Sequence, residues 1–224
     1  MASLLKAKTD SSAESQIINK PIFDFLKRAA DIIISLAASL VLLPIFLIIA
    51  AIIKAEDGGS VLYAHLRTGK DGVPIKVYKF RSMKIGADQL EKFLTPKQIA
   101  EYKTEYKLTD DPRVSRIGKL LRKTSLDELP QIPLNILLKG DMSIVGPRPV
   151  MDEETYLYGE SRHLLLSVKP GLTGYWAAYA GKDTNYSSGN RQKMELYYIN
   201  NRSVLLDIRI ILKTVETVFR KAGE

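Results

Sequence analysis

The sequence predicts an α/β protein with helix in excess, anchored by one N-terminal hydrophobic element. Three observations carry that expectation. Residues 32–53, IIISLAASLVLLPIFLIIAAII, contain no charge. Two short extended runs, VLYAHL and IKVYKFRSM, flank the Gly-rich turn RTGKDGVP. Near the end, Val204, Leu205, Ile208, Ile211, Leu212, Val215, Val218 and Phe219 follow an i, i+3, i+4 stripe. The 224 residues can bury one good core. They divide into a polar tail (1–21), an inserted element (22–57) and a body (58–224).

As a helix, residues 32–53 would be roughly 33 Å long, enough to cross a hydrocarbon core. A polar lead precedes them and no cleavage site follows, so they are not a signal peptide. Pro44 near the centre removes one backbone hydrogen bond and kinks the helix. A kinked span would separate residues 1–28 from the body, whereas a re-entrant hairpin would keep both on one side. The flanks, Lys27-Arg28 and Lys54, are both basic, so charge asymmetry favours neither crossing direction. This symmetry favours the hairpin broken at Pro44, with Ser35 and Ser39 as partners for freed carbonyls. Arg28 and Asp31, three apart, are placed to pair on one helix face.

After the exit turn EDGGS and the two strands, residues 86–107 predict one or two exposed helices interrupted at Pro96. SRIGKLLRKT reads as a basic helix, and PQIPLNILLKGDMSIVGPRP as a short apolar helix entering a turn-rich loop. Residues 150–168 predict a further helix, and KPGLTGYWAAYAGKD a loop with a short extended piece. The terminal apolar stripe is expected to pack into the core, with the membrane surface as the alternative.

Composition excludes several chemistries. The absence of cysteine removes disulfides, thiolate nucleophiles and Cys-ligated zinc. The two histidines, His65 and His163, have no metal-type spacing. Neither a P-loop nor a strand-linked G-x-G-x-x-G occurs. A carboxylate is therefore the expected nucleophile or base. The formal charge of +8 is localised: residues 58–124 hold 15 basic and 7 acidic side chains, and the remainder balances. Such a surplus suits phosphate, nucleic acid or anionic lipid head groups.

RKTSLDELPQIP, residues 122–133, sets Asp127 and Glu128 between a basic run and two prolines. Ser125-Leu126-Asp127-Glu128 fits a helix capping box. Pro130 opposes it, because residue 130 would have to donate to the Leu126 carbonyl. A kinked turn is the competing expectation.

KRAADIIIS, VYKFRSMK, LTDDPRVSRIGKLLRKTSLDELPQ, KGDMSIVGPRP, VKPGLTG and ELYYINNRSVLLDIRIILKT together resemble the bacterial sugar transferase family, the monotopic phosphoglycosyl transferases. The resemblance covers roughly residues 22–220 and is to the short form, without the four helices that precede the domain in longer relatives. It implies transfer of a sugar phosphate from a UDP-sugar to undecaprenyl phosphate, releasing UMP, as the first membrane step of surface-glycan synthesis. It also implies a place on the cytoplasmic face of the bacterial inner membrane, among its lipids. By the same resemblance Asp127 is the nucleophile, forming a phosphosugar-enzyme intermediate, and Glu128 helps hold Mg²⁺. A carboxylate nucleophile suits a chain without cysteine, and Mg²⁺ takes one or two carboxylates plus phosphate oxygens.

Lys79, Arg81, Arg113, Arg116 and Arg122 are candidates to clamp the diphosphate or bind the lipid phosphate. Arg148, between Pro147 and Pro149, resembles the family's nucleotide-contacting arginine. Lys79, Arg122 and Arg148 are favoured, while Asp141 and Thr173 fit turn and capping roles. The chain departs from the family at HLRTG, with His65 where Gln is usual, and at YWAAYAGK after PGLTG. Membrane confinement makes a homodimer an expectation. Two alternatives remain at this stage: an inactive scaffold of the same fold, and a nucleic-acid binder, which no RRM, KH or zinc module supports.

Overall fold

A computed structural model describes residues 20–105, 108, 110–180 and 188–223. Residues 1–19 of the expected tail and 181–187 of the divergent loop lie outside them. Helix α1 runs Pro21–Asp57, helical throughout and with Pro44 inside it. Pro21 suits the first turn, where its missing N–H has no partner to lose. Gly58, at φ 73°, closes the helix in the left-handed region and donates to the Lys54 carbonyl. Its middle is bare: Ile33, Leu40 and Val41 are 68%, 66% and 75% exposed. Among the described residues it is the one helix long and apolar enough to cross a membrane.

Both ends of α1 are bonded to the body. At the first, Lys27 pairs with Asp207 at 2.6 Å, and Arg28 donates to the Ile136 carbonyl at 2.6 Å. Asp31, buried, accepts from the Ile144 N–H at 3.0 Å. The expected Arg28–Asp31 pair is thus replaced by separate bonds to backbone groups of the body, which satisfy otherwise orphaned donors and acceptors. Ser39 donates to the Ser35 carbonyl at 2.6 Å and not to that of Leu40, which Pro44 leaves free. The Ser35 hydroxyl is buried without a partner among the described residues. At the other end Ile49 and Ile53 pack with Phe80 and Leu121, and Asp57 binds Arg81.

Strands β1 (Leu62–Thr68) and β2 (Pro74–Phe80) form the expected antiparallel hairpin. Its register pairs Tyr63 with Lys79, His65 with Val77 and Arg67 with Ile75, so these six share one face. Helices α2 (Leu90–Phe93) and α3 (Pro96–Glu105) flank Thr95, as the proline predicted. Helix α4 (Arg116–Thr124) is the expected basic helix. One 3₁₀ turn, Leu126–Glu128, leads to a π-helix, Ile132–Lys139. Asn135 projects from that π-helix onto β2, accepting from the Tyr78 N–H and donating to the Lys76 carbonyl.

Strand β3 (Ser143–Val145) pairs in parallel with β4 (Gly171–Thr173). The helix expected over 150–168 is broken into α5 (Asp152–Thr155), a 3₁₀ stretch (Tyr156–Ser161) and α6 (Arg162–Leu165). Gly159, at φ 52° and ψ −132°, is the break. The stretch expected as loop after β4 contains α7 (Tyr175–Tyr179), whose Tyr175 ring stacks 4.7 Å from Tyr197 on α8 (Asn190–Asn201).

Helix α9 (Val204–Gly223) corrects another expectation. Ile210 is its fully buried residue, with Leu206 and Ile211 beside the core, whereas Val204, Leu205, Ile208, Leu212 and Val215 are 48–66% exposed. Asp207, bonded to Lys27 and Tyr198, and Thr214, bonded to Thr173, turn α9 so that most of its apolar stripe faces outward.

The contact between α4 and β2's exit is backbone-close. A Cβ on Gly118 would lie 2.0 Å from the Ser82 carbonyl oxygen. Gly118→Ala is expected to destabilise the protein by about 1–3 kcal/mol, as overpacking does. Its Tm should fall by about 5 °C in detergent by scanning fluorimetry. An unchanged Tm would show that α4 can slide away.

Candidate active site

Helix α4 is fixed at both ends, and this places the Asp-Glu pair. Ser115 caps it by accepting from the Gly118 N–H at 3.1 Å. Glu56, from the end of α1, accepts from the Ser115 hydroxyl at 2.8 Å and the Arg116 N–H at 2.9 Å. The far end closes at Ser125, a non-glycine residue at φ 57° whose N–H bonds the Arg122 carbonyl. Ser125 is therefore the C-terminal cap of α4, and the capping box does not form; the kinked turn does. In the 3₁₀ turn that follows, adjacent side chains diverge. Asp127 turns inward to 7% exposure, while Glu128 meets Lys79 on β2 at 2.5 Å. No side chain of another described residue hydrogen-bonds or ion-pairs with the Asp127 carboxylate.

Burial pushes the Asp127 carboxyl from its ordinary 3.8 up to about 6. Lys79 opposes that shift, the Glu128 charge adds to it, and Arg122 opposes it.

A cavity of about 130 Å³ opens beside Glu128. Strand β1 contributes His65 and Arg67, β2 contributes Lys79, and Arg148 and Glu195 close it. Arg67 bonds His65 Nδ1 at 3.1 Å and Glu154 at 3.3 Å. Burial, then the charges of Arg67 and Lys79, hold the His65 imidazole down to about 4, so near neutral pH it is uncharged and accepts at Nδ1. Arg148 is set by its neighbours: Val150 bridges to Thr68, and its own N–H donates to the Glu195 carboxylate at 3.2 Å. A Cβ on Gly174 would lie 2.1 Å from the Gly146 carbonyl oxygen, so glycine is needed where PGLTG meets GPRP. Burial raises the Glu195 carboxyl to about 7, against the Arg148 N–H and the nearby arginine charges.

The favoured residues fall out differently. Lys79, Glu128 and Arg148 line the cavity, whereas Asp127, buried next to Glu128, is not part of its lining. Arg122 lies outside its lining, bonded to the Ser82 hydroxyl at 2.9 Å, and acts on Asp127 through its charge. Arg81 does not join the cavity: Asp57 and the Ser60 carbonyl occupy its guanidinium and tie β2 to α1. Nor does Arg113, 2% exposed, paired with Asp111 at 2.7 Å and stacked 4.4 Å over Tyr102. Arg116 is exposed and contributes its backbone N–H to Glu56. Thr173 lines the cavity, bonded to Thr214, whereas Asp141 accepts from Asn135. Arg67, Gln131, Trp176 and Glu195 also line it and were not singled out from the sequence. Strand alternation could have found Arg67, two residues from His65. No sequence signal marked Glu195, whose donor is the backbone N–H of Arg148.

Mg²⁺ is compatible with this donor set. Among the described residues no three Asp, Glu or His side chains form a metal cluster. One or two carboxylates opening on a cationic cavity suit an ion that takes its other ligands from phosphate and water.

Because its carboxyl is raised, ionising Asp127 opposes folding: its contribution falls as pH rises from about 4 to about 6 and stays low above that. Without divalent cations, Asp127→Asn should be more stable than the parent near pH 7.5 by on the order of 2 kcal/mol. The gap should close towards pH 4. Thermal unfolding across that range checks this, and a gap that widens at low pH would contradict it.

Comparison with known proteins identifies the family. The sequence profile described as bacterial sugar transferase matches residues 22–221. The chain is 42% identical over 207 residues to the exopolysaccharide production protein ExoY of Sinorhizobium fredii, covering 91% of this chain and 90% of that one. It is 38% identical over 202 residues to the undecaprenyl-phosphate galactose phosphotransferase of Salmonella typhimurium, covering 89% and 41% respectively. The UDP-glucose:undecaprenyl-phosphate glucose-1-phosphate transferase of Escherichia coli is 41% identical over 197 residues, covering 85% and 39%. The chain thus spans nearly all of the short relative and less than half of the two longer ones. With its profile match running through α1, the dyad turn and α9 alike, the chain belongs to the bacterial sugar transferase family.

Proposed function

We propose that this chain transfers a sugar-1-phosphate from a UDP-sugar to undecaprenyl phosphate, through a covalent intermediate on Asp127. The observation that carries the reading is Asp127 itself, a buried carboxylate beside a cationic cavity, bonded by no other described side chain. In the first step an Asp127 oxygen attacks the sugar-bearing phosphorus, and the bond to the bridging oxygen breaks, releasing UMP. In the second, an oxygen of undecaprenyl phosphate attacks the same phosphorus, and the acyl-phosphate bond breaks to restore the carboxylate. Partial desolvation keeps the nucleophile reactive, and Lys79 and Arg122 favour its ionised form. Arg67, Lys79 and Arg148 are placed to hold the diphosphate in the cavity. Glu128, directed towards Lys79, would hold Mg²⁺ with the substrate's phosphate oxygens. When bound, the ion neutralises charge developing on the diphosphate.

The proposed organisation is a tail (1–21), a re-entrant helix (22–57) and a catalytic body (58–224) on the cytoplasmic face of the inner membrane. Bonds from both ends of α1 to one body support the re-entrant topology, since a spanning helix would carry one end across the bilayer. The outward apolar stripe of α9 would then lie on the membrane surface.

Intact mass after incubation with Mg²⁺ and a panel of UDP-sugars, without lipid, tests the chemistry. A sugar-phosphate adduct is expected on the parent and not on Asp127→Asn, with its rate falling about tenfold per pH unit below about pH 6. An equal adduct on Asp127→Asn would displace the nucleophile. No adduct, with no UMP released on adding undecaprenyl phosphate, would favour the scaffold reading.

A further inference from the structure

A second cavity, of about 170 Å³, lies under the first turns of α1 and shares no lining residue with the cavity beside Glu128. Five cationic side chains and two carboxylates line it. Most are already matched. Lys27 pairs with Asp207 and Arg202 with Asp24, while Arg28 and Asp31 bond backbone groups of the body. Three groups are left over. Lys169, half-buried, has neither hydrogen bond nor ion pair among the described residues. Burial, and then the charge of Arg28, push its ammonium down, and Lys70 adds a further cation that has no ion pair among the described residues. The Ser143 hydroxyl, in the same lining, is fully buried and has no hydrogen-bond partner among the described residues.

A buried hydroxyl without an acceptor and a cation without an anion are both unfavourable, and one ligand removes both defects. A phosphate oxygen accepts from the hydroxyl and from the ammonium together. The surroundings say which phosphate. Ile22, Phe25 and Leu26, on the same turns of α1 as the cavity's Phe23 and Asp24, are 76%, 74% and 50% exposed. An apolar skirt beside a cationic hollow fits a ligand with an anionic head and acyl chains.

We propose that this cavity binds the phosphate group of an anionic phospholipid, at Lys169, Lys70 and Ser143. The proposal rests on the reading that α1 enters the membrane. Bound there, the lipid would bridge α1 to the loop before β4 and fix the depth at which the body sits.

The test uses the full chain in mild detergent, with native mass spectrometry after adding phosphatidylglycerol or phosphatidylcholine. The parent is expected to retain phosphatidylglycerol selectively. Lys169→Gln and Ser143→Ala should each weaken retention about fivefold, the effect of one interfacial charge or charge-assisted bond. Ser143→Ala removes an unpartnered hydroxyl, so it is expected to fold. Lys97→Gln, exposed on α3, should retain lipid as the parent does. Equal retention by all four proteins would overturn the site. Inorganic phosphate that displaces the lipid at low concentration, and raises the Tm of the parent but not of Lys169→Gln, would make the ligand a soluble anion and overturn the lipid assignment. Flotation with phosphatidylcholine vesicles separates the two readings. A protein that floats without selective retention loses only this site, and one that does not float loses the membrane reading as well.

Discussion

Glu56 stands at the junction on which the rest of the structure depends. It is the penultimate residue of α1, and its carboxylate accepts from the Ser115 hydroxyl and from the first N–H groups of α4. Those groups have no partner within their own helix, and a carboxylate there also meets the positive end of the helix dipole. Helix α1 therefore caps the helix whose far end carries Asp127 and Glu128. Arg81 repeats the connection one layer away, joining Asp57 at the end of α1 to the strand that bears Lys79. A shift of α1 in its medium would thus act on both elements that bring the cavity its charges.

The dyad turn departs from regular helix at a cost in stability. Four local features oppose an ordinary helix there: Ser125 in the left-handed region, one 3₁₀ turn, Pro130 and Pro133. Together they shift the hydrogen-bond register into a π-helix, a form that is rare and concentrated at functional positions. The gain is divergence of adjacent side chains, which a regular helix also gives but without burying one and exposing the other to a strand. Asp127 is held in surroundings that disfavour its charge, and the two cations that relieve this come from β2 and α4. Strain of this kind persists only where the surroundings over-determine it. Here they do, through the Asn135 bonds to β2 and the Leu126 contact with the α1 cluster.

Much of this was legible in the sequence. The hairpin followed from alternation and its Gly-rich turn, and α3 and α4 from proline and periodicity. The rejection of the capping box followed from one missing N–H at Pro130. What was not legible depended on partners distant in sequence. Arg81 and Arg113 read as phosphate clamps because the chain order does not reveal that Asp57 and Asp111 reach them first. The α9 stripe read as core because periodicity shows that a face is apolar and not what it faces. Its orientation is set by Asp207 and Thr214, polar residues whose partners lie on α1 and β4. Glu195 was missed because its acceptor role belongs to a backbone N–H, that of Arg148, which leaves no mark on composition.

The charge excess of residues 58–124 suggested one basic surface. The structure divides it. Some arginines are internal cross-braces, and the cations at the two cavities are drawn from segments on both sides of that stretch, Lys27, Lys169 and Arg148 among them. Each cavity also lies close to one end of α1: its first turns line the second, and its last turn holds the strand and helix that build the first. A helix that left the body at one end could serve only one of them. On the proposed membrane reading, a helix pinned at both ends would bring an apolar segment into contact with lipid and keep both cationic hollows near its flanks. That arrangement would suit the proposed reaction between a water-soluble donor and a lipid-bound acceptor, in which both phosphates would have to reach one carboxylate without either leaving its own phase.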